Sequence, residues 1–496
     1  MARAPVEEVA VAVLGGGPAG AAAARVLALW GHRVVLLTRP PPGPPLAESL
    51  TPSCGKVLEQ IGVLEAINRA GFVRSTGHTV RWGGTAARVE TFAHGEQGWQ
   101  VLRTDLDRVL LREAKAAGAI VRGSASVRRV VPNGDGAWRI SYEERGRTRH
   151  VTAPWVIDCS GRSGLMSRAK SGRVPTGPRT IAVVGLWDCR PNWALADESH
   201  THVESYPGGW AWSVPVSKTR RQVTVMLDPR RTEVGRGSRL PSTYQQELAG
   251  TTMIGAMIER ARPIGRPWAR DASPYESEPA ARGRVLAAGD AASFVDPLSS
   301  YGVKKALASA WLAAVVVHSV VGDATLEEPA LRLFATRERA MVAGLRRQLE
   351  QLSHEAELAH PTGFWGDRGG LDVVTGLGDP DVAALRLDAD VSLAFDAIRN
   401  SASLALRHAD GVRRERLPVV AGHTVSLSDH LVVPAFPAGI RYIRNVDLIV
   451  LADLAPRHSQ VPELFDAYLA AAMPVPLPDF LGALAVLVGK GIVQFA

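Results

Sequence analysis

A glycine-rich turn near the start of the chain is the feature that most limits what it can fold into. The segment Gly15-Gly16-Gly17-Pro18-Ala19-Gly20 follows the apolar run Val9 to Leu14 and precedes the helix formers Ala21 to Leu29. This order predicts a strand, a tight turn and a helix. Gly15 permits the turn, Gly17 lets the backbone approach a pyrophosphate, and Gly20 lets helix and strand pack closely. Because the helix N-terminus offers free N–H groups, we expect a dinucleotide here.

The second strand of this unit departs from the usual nucleotide-binding pattern. The run Arg33 to Leu37 predicts a strand, but Thr38 and Arg39 follow it, where an Asp or Glu commonly binds the ribose hydroxyls. The hydroxyl of Thr38 and the cation of Arg39 are suited to contact sugar and phosphate instead. The missing acid argues against a simple NAD site and slightly favours FAD.

Length and charge narrow the function classes. A chain of 496 residues is too long for one core, so we expect two or three structural units. The formal net charge of +8 favours anionic partners. These are the cofactor and, as alternatives, an acidic protein, peptide or carrier. The arginines are spread along the chain and no nucleic-acid motif is present, so we expect no nucleic-acid partner.

Cysteine spacing and apolar runs bear on the cell compartment. Cys54, Cys159 and Cys189 do not have the spacing of a disulfide framework or a metal site, so we expect buried thiols and no metal. Met1 to Glu8 is short and charged, unlike a signal peptide. The apolar run Ala306 to Val321 is shorter than a membrane span and predicts a buried helix. We therefore expect a cytoplasmic protein with no membrane partner.

The rest of the chain alternates helix and strand patterns. Phe72 to Trp82 and Thr85 to Thr91 predict strands, and Asp105 to Ala117 predicts a helix. Alternating runs between Ile181 and Leu227 predict an antiparallel sheet, which would form a wall over the cofactor. The region after Leu331 predicts a separate, mostly helical C-terminal unit.

Two polar residues stand at the ends of such elements. Arg103 comes just before the Asp105 helix, so its guanidinium either reaches the nucleotide phosphates or is solvated, and spacing alone does not decide. The apolar run Val285 to Ala288 ends in Gly289-Asp290. This run predicts another strand of the nucleotide-binding sheet.

Four separated elements resemble one family in the same order. They are the glycine turn, Arg103 with its helix, Asp158 to Gly164 (DCSGRSG) and Gly283 to Leu307 (GRVLAAGDAASFVDPLSSYGVKKAL). The chain resembles the FAD-dependent aromatic monooxygenases of the p-hydroxybenzoate hydroxylase fold, and within them the branch that contains the flavin-dependent halogenases. The resemblance covers residues 9 to 345.

The resemblance implies an α/β fold in which a Rossmann-like FAD-binding domain carries an inserted antiparallel-sheet substrate domain and a mostly helical C-terminal extension. The implied limits are 1–75, 97–175 and 275–345 for the FAD-binding domain, 76–96 and 176–274 for the sheet domain, and 346–496 for the C-terminal domain. Asp290 would meet the ribityl and pyrophosphate region, and Gly302 with Val303 would lie by the isoalloxazine ring. The other implied FAD contacts are Gly15, Gly17, Pro18, Ala19, Gly20, Thr38, Arg39, Ser49, Arg103, Val127, Gly289 and Pro297.

Two further motifs narrow the branch. Gly209 to Pro215 (GWAWSVP) resembles the halogenase G-W-x-W-x-I-P, and Phe294 begins a match to F-x-x-P-x-x-S-x-G. In that branch such aromatic residues separate flavin from substrate, so the resemblance assigns Trp210, Trp212 and Phe294 to the substrate side. By spacing alone, two tryptophans two apart in a strand share a face and equally fit a core pair.

One departure matters for the reaction. Halogenases carry a lysine that captures hypohalous acid on the strand corresponding to Ser75 to Trp82, where this chain has Gly77 or His78. Lys56 lies on the helix after Pro52 instead. Direct oxygen transfer from a flavin C4a-hydroperoxide to an electron-rich ring needs no such relay. The sequence therefore favours a monooxygenase over a halogenase.

The catalytic candidates are Glu48 and His78. His78 is either a base or hydrogen-bond donor near the ring or a structural histidine, and Glu48 belongs to the segment that flanks flavin in the resembling proteins. A second G-x-G-x-x-G is absent from the sequence. NAD(P)H therefore either binds directly and transiently or reduces FAD through a separate flavin reductase, with O₂ as co-substrate.

Substrate identity rests on the resemblance. Halogenase-like proteins without the lysine include flavoproteins that hydroxylate a tryptophan side chain in a polypeptide during tryptophylquinone cofactor biogenesis. This favours an indole as the aromatic substrate, either free or within an acidic polypeptide or carrier-bound. A halogenase with another residue in place of lysine and a non-catalytic flavin-binding assembly factor are the alternatives.

Overall fold

The computed structural model describes residues 6–40, 43–166, 172–232, 239–277, 280–368, 385 and 387–496. The chain forms two compact units, one of residues 1–322 with 341–373 and the other of residues 323–340 with 374–496. The helix Glu327–Ala359 has residues in both units. The antiparallel sheet of the predicted substrate domain lies within the first unit, and the three predicted domain limits stay a prediction.

A parallel sheet forms the base of the first unit. Its six strands run in the order Ala281–Arg282, Val285–Ala287, Trp155–Asp158, Val11–Leu14, Val34–Leu37 and Ile120–Arg122. All pairs are parallel except the first hairpin. The three central strands are buried at every residue, as expected when helices cover both faces. This is the predicted Rossmann-like architecture.

The helices of this unit are amphipathic or fully apolar. Pro18–Leu29 is apolar nearly all round, and Arg103–Ala116 buries Leu106, Val109 and Leu110 on one face. The other helices of the unit are Cys54–Gln60, Leu64–Arg69, Leu240–Ala249, Met253–Ile258, Gly302–Gly322 and Gly363–Gly366.

The first unit also contains a seven-stranded, mostly antiparallel sheet. Its order is Arg262–Asp271, Ile181–Asp188, Arg220–Leu227, Gly209–Pro215, Thr201–Tyr206, Gly77–Arg81 and Arg88–Thr91. Every pair is antiparallel except Thr201–Tyr206 with Gly77–Arg81. The antiparallel sheet between Ile181 and Leu227 is therefore confirmed.

Smaller sheets complete the first unit. They comprise Glu7–Glu8, Arg147–Ala153, Trp138–Glu144 and Ala125–Pro132; Ala47–Leu50, Gly98–Leu102 and Val73–Ser75; and Arg173–Pro175, Tyr275–Ser277 and Ser293–Phe294.

The second unit is helical, as predicted, but it also contains strands that the sequence analysis did not predict. Its helices include Ala389–Asn400, Leu448–Leu454, Val461–Ala471 and Leu477–Gly489. Arg413–Ala421, Thr424–Val433 and Phe436–Ile440 form an antiparallel sheet, and shorter pairs join Leu406–His408 to Val493–Phe495 and Tyr442–Ile443 to Val446–Asp447. The available signal was the two-residue turn Gly422-His423, since Gly422 has φ +61°.

The long apolar helix is a core element. Gly302–Gly322 has 21 residues and a mean hydropathy of 1.5, so its length and composition alone would suit a membrane span. The expectation that it is too short was wrong, because the helix begins before Ala306. Its most apolar stretch of 18 residues is 67% buried inside the protein, so the predicted buried helix is confirmed. The three cysteines are free and buried, as expected.

A buried polar network ties the strands of the large sheet together. Arg221 is fully buried and donates hydrogen bonds to the Glu198 carbonyl (2.8 Å), the His200 carbonyl and Ser213 Oγ (2.8 Å). Its Nη2 also lies 3.1 Å from His202 Nδ1. Since arginine cannot accept a hydrogen bond, His202 is the acceptor and carries its proton on Nε2.

This network makes the stability of the protein sensitive to acid. Burial, with a further contribution from Arg221, lowers the pKa of His202 from 6.5 to about 3. The unfolded chain therefore binds this proton first as the pH falls. The contribution of His202 to the free energy of unfolding is fully present above pH 6.5. It is lost as the pH falls toward 3, at up to about 1.4 kcal/mol per pH unit.

We predict that His202→Asn, whose amide oxygen can still accept from Arg221, loses less unfolding free energy than the parent between pH 6.5 and 4. Urea denaturation at a series of pH values measures this difference. His94→Asn is the control, because His94 is exposed, and its slope should match that of the parent. Parallel slopes for parent and His202→Asn would show that His202 does not cause the acid sensitivity.

Candidate functional site

The glycine turn has the geometry that a phosphate cradle requires. Gly15 has φ +105°, and a Cβ added there would lie 2.3 Å from the carbonyl oxygen of Cys159. A Cβ on Gly20 would lie 1.8 Å from the Gly15 oxygen. Gly17 is the N-cap of Pro18–Leu29 and supplies no side-chain cap. The first-turn N–H groups are therefore left for a ligand.

The glycine turn opens onto a large cleft of about 780 Å³. Thr38, Arg39 and Val127, all predicted cofactor residues, line this cleft together with Gly15 and Gly17. Thr38 is buried, and its hydroxyl packs against Gly16, where a Cβ would come within 2.4 Å. The cleft is rich in cations, its arginines being Arg39, Arg103, Arg108, Arg128 and Arg162. Such a surface suits an anionic ligand.

Arg103 lies where this cleft meets a second, smaller cavity of about 140 Å³, and it lines both. Its Nη1 donates to Glu48 Oε1 at 3.2 Å, and its Nε lies 3.5 Å from Asp107 Oδ1. Burial lowers the pKa of Arg103, but Asp107 and Glu48 raise it by more, so the guanidinium stays charged. Burial raises the pKa of Glu48, and Arg103 opposes this.

The smaller cavity collects most of the other predicted cofactor residues. Pro18, Ala19, Asp290, Pro297, Gly302 and Val303 line it together with Glu48. Gly289 lies behind them with φ +64°, where a Cβ would be 3.2 Å from the Cβ atoms of Ala19 and Ala306. The Tyr275 hydroxyl donates to the Asp290 carbonyl at 2.7 Å. The ends of strands Val11–Leu14 and Val285–Ala287 thus meet at one edge of the sheet.

A third pocket, of about 50 Å³, adjoins the smaller cavity across Phe294, which lines both. Trp210 and Trp365 supply aromatic walls, and the charged residues that line it are Asp296, Arg346, Glu350 and Arg368, of which Arg368 is buried. The Arg368 guanidinium donates to Thr180 Oγ1 at 2.6 Å. The pocket in this form is smaller than the 150 Å³ cavity that accepts benzene in an engineered protein. An aromatic ring therefore enters only if side chains move.

Trp210 and Trp212 share a face of their strand, as predicted. Their rings stack with centroids 4.6 Å apart at 24°. Trp210 lines the aromatic pocket, whereas Trp212 packs beside it in a hydrophobic cluster with Val80 and Val203. The pair therefore combines a core role with a wall of the pocket.

His78 does not line any of these three cavities. Its ring meets Phe92 edge-on at 5.1 Å, and its buried Nδ1 has no hydrogen-bond partner among the described residues. Burial lowers the pKa of His78. Ser49 and Gly20 also lie outside the lining, Ser49 next to Glu48 and Gly20 behind the turn. The structure thus brings Glu48, but not His78, to the trough formed by the large cleft and the smaller cavity.

Several charged residues of this trough, among them Asp107, Arg162 and Lys305, were not predicted from the sequence. Asp107 lies one helical turn after its partner Arg103, a spacing that was readable from the sequence. Arg162 stacks over the Phe294 ring at 4.1 Å, and Lys305 is buried among backbone carbonyls. No sequence pattern predicts these last two contacts. Groups of three or more metal-ligating side chains are absent from the part of the chain that the structure describes.

Comparison with known sequences agrees with this geometry. Residues 8–328 match the FAD binding domain family. The tryptophan 2-halogenase of Chondromyces crocatus is 28% identical over 320 residues, which are 63% of this chain and 61% of that protein. The flavin-dependent halogenase armH3 of Armillaria mellea is 28% identical over 347 residues, 64% of this chain and 69% of that protein. The match thus spans less than two-thirds of the tryptophan 2-halogenase.

Solved structures share the fold over a greater length. CmlS, a flavin-dependent halogenase, superposes with a TM-score of 0.80 at 20% identity, covering 99% of this chain and 96% of that one. QhpG, a peptidyl tryptophan dihydroxylase essential for tryptophylquinone cofactor biogenesis, gives 0.69 at 21% identity, covering 97% and 99%. The predicted fold class is confirmed. Since the family match takes in the glycine turn, Arg103 and the Gly289-Asp290 segment, the chain belongs to the FAD binding domain family.

Proposed function

We propose that the protein is an FAD-dependent monooxygenase that hydroxylates an electron-rich aromatic ring, an indole being the favoured substrate. The observation that carries this proposal is the continuity of the sites: the trough adjoins the aromatic-walled pocket at Phe294 and Val295, which line both. A cofactor in the trough and a ring in the pocket would be neighbours. NAD(P)H, used directly or through a flavin reductase, would supply the electrons.

The trough fits FAD on the evidence of its own residues. The turn at Gly15 and Gly17 excludes side chains from the backbone groups that would face the pyrophosphate, and Arg103 supplies a fixed cation at the junction of the two cavities. Asp290 and Gly302 line the part beyond it. FAD, when bound, supplies the redox chemistry that activates O₂. The chain's residues bind and orient the cofactor, and the aromatic walls exclude water.

Of the two predicted catalytic residues, Glu48 is the better placed. Its carboxyl group lines the smaller cavity and accepts a hydrogen bond from Arg103. Because burial raises the pKa of Glu48, this carboxyl group takes up a proton more readily than an exposed glutamate does. His78, outside the cavities, is better explained as part of the sheet.

We predict that Arg103→Met weakens FAD binding at least tenfold, because it removes the cation at the middle of the trough and leaves Glu48 and Asp107 without their partner. Fluorescence titration of the apoprotein with FAD measures the dissociation constant. Arg112→Met is the matched control, since Arg112 lies on the same helix with its side chain 67% exposed. Equal affinity of Arg103→Met and the parent would contradict the role of Arg103.

The lysine positions support oxygenation over halogenation. The described lysines are Lys56, Lys115, Lys218, Lys304, Lys305 and Lys490, and of these Lys305 lines the trough. Its Nζ lies 3.0 Å from the Gly289 carbonyl, 2.6 Å from the Ser293 carbonyl and 3.2 Å from Ser293 Oγ. These acceptors account for its three hydrogens, so the ammonium is not presented to a hypohalous acid.

A halogenase is the second candidate. The tryptophan 2-halogenase and the Armillaria protein are both halogenases by name, and Gly209 to Pro215 keeps the tryptophan spacing of that branch. Since the strand Gly77–Arg81 has no lysine, a halogenase would need another residue to capture and relay the hypohalous acid.

We predict that incubation with a tryptophan-containing substrate, FAD, a reductase, O₂ and both chloride and bromide adds only the mass of oxygen. Mass spectrometry with ¹⁸O₂ distinguishes oxygen taken from O₂ from oxygen taken from water. A chlorine or bromine isotope pattern would establish the halogenase instead. No product of either mass, across free tryptophan, polypeptide and carrier-bound substrates, would favour the non-catalytic assembly factor.

The support for a polypeptide substrate is the likeness to QhpG, which is a likeness of fold alone. Charge refines where an acidic partner would bind. Residues 346–496 contain 13 Lys and Arg against 18 Asp and Glu, so the positive excess belongs to residues 1–345. An acidic substrate would therefore bind to the region that precedes residue 346.

We predict that turnover of an acidic tryptophan-containing peptide falls about tenfold as ionic strength rises from roughly 0.01 M to 0.15 M, because the screening length shortens from about 30 Å to about 8 Å. The rate of oxygen incorporation is measured at each salt concentration. The control peptide has its Asp and Glu replaced by Asn and Gln, and its turnover should be slow and independent of salt. Efficient, salt-insensitive hydroxylation of free tryptophan would contradict the acidic-partner proposal.

A further inference from the structure

Lys305 is a buried cation that the proposed chemistry does not use. It lies in the first turns of Gly302–Gly322 and is only 2% exposed. Its ammonium group donates to the Gly289 and Ser293 carbonyls and to Ser293 Oγ, and it lies 3.9 Å from Asp290 Oδ1. All of these partners belong to the segment Gly289 to Ser293, which forms one side of the smaller cavity. Lys305 therefore fixes the shape of that side.

Hydrogen bonding alone does not explain a lysine at this position. Burying an ammonium group is far more costly than burying an amide, even when each hydrogen has an acceptor. A glutamine is one atom shorter than a lysine, but its NH₂ group offers two donors to such oxygens without a charge. The positive charge itself is therefore the property that distinguishes Lys305 from a neutral cross-link.

The balance of charge in the cavity indicates what this positive charge does. Glu48 and Asp290 line the smaller cavity, and Asp107 pairs with Arg103 at its entrance. Arg103 and Lys305 are the cations among these residues. Without Lys305, Arg103 would be the one cation among the described residues that line the smaller cavity, opposite the carboxyl groups of Glu48 and Asp290, in a site that has to accept an anionic cofactor. Reduction adds a further negative charge to a flavin, so the imbalance would grow in the reduced state.

We propose that Lys305 is a positioning and charge-balancing residue of the FAD site, which holds the Gly289–Ser293 segment against the cavity and favours the reduced, negatively charged cofactor over the oxidised one. The inference rests on the proposed binding of FAD. It concerns the redox equilibrium of the cofactor and does not depend on whether the enzyme transfers oxygen or halogen.

The test compares three variants of the full-length holoprotein. Lys305→Gln removes the charge and keeps amide donors, Lys305→Arg keeps the charge, and Lys304→Gln removes a charge from the adjacent residue, which lies against the Tyr301 ring and lines neither cavity. Two quantities are measured for each: the FAD dissociation constant and the midpoint potential in a spectroelectrochemical titration.

For Lys305→Gln we expect the affinity for reduced FAD, relative to oxidised FAD, to fall at least tenfold, which lowers the two-electron midpoint potential by about 30 mV or more. Lys305→Arg and Lys304→Gln should both stay within threefold of the parent ratio. A parent-like potential for Lys305→Gln would overturn the proposal, because a neutral cross-link would then suffice.

Two further outcomes are informative. If Lys305→Gln does not fold, Lys305→Arg still tests the proposal. A tenfold change in its affinity for reduced FAD relative to oxidised FAD would show that charge alone does not set the potential, and would overturn the proposal. A parent protein that binds no FAD would overturn the proposed function together with this inference. A parent that binds FAD and an unshifted Lys305→Gln would overturn only the inference.

Discussion

Parallel pairing of three buried strands is the constraint on which the rest of the structure depends. Trp155–Asp158 and Val34–Leu37 pair with opposite sides of Val11–Leu14, and their carboxyl ends therefore meet at one edge. That edge places the glycine turn beside Cys159 and Thr38, with contacts so close that a Cβ on Gly15 or Gly16 would collide. Residues far apart in sequence form one trough because each follows the carboxyl end of a buried parallel strand, and these ends lie at the same edge of the sheet.

The sequence predicted this part of the fold well because each of its elements has a local physical cause. Glycines are needed where backbones approach, and apolar runs mark the buried strands. The strands between Arg413 and Ile440 were missed, because charged residues on Arg413–Ala421 hide its alternation. The helix Gly302–Gly322 is longer than its apolar run Ala306 to Val321, because it also includes Lys304 and Lys305 in its first turns.

Site residues could be predicted from the sequence where they act through their own backbone or lie beside a motif. Residues that act through partners distant in sequence were harder to predict. Arg103 was ambiguous from spacing, and its place between two cavities came only from the packing of its helix beside Pro18–Leu29. Lys305 and Arg162 meet partners that no periodicity connects to them. His78 shows the opposite case, since its position along the chain suggested a site while its ring packs against Phe92.

Phe294 lines both the smaller cavity of the trough and the aromatic pocket. A change of its size alters both spaces at once. Trp365 and Arg368 line the pocket and neither cavity of the trough. In the proposed enzyme, substitutions of these two residues would therefore change the choice of substrate with less effect on the cofactor than substitutions of Phe294.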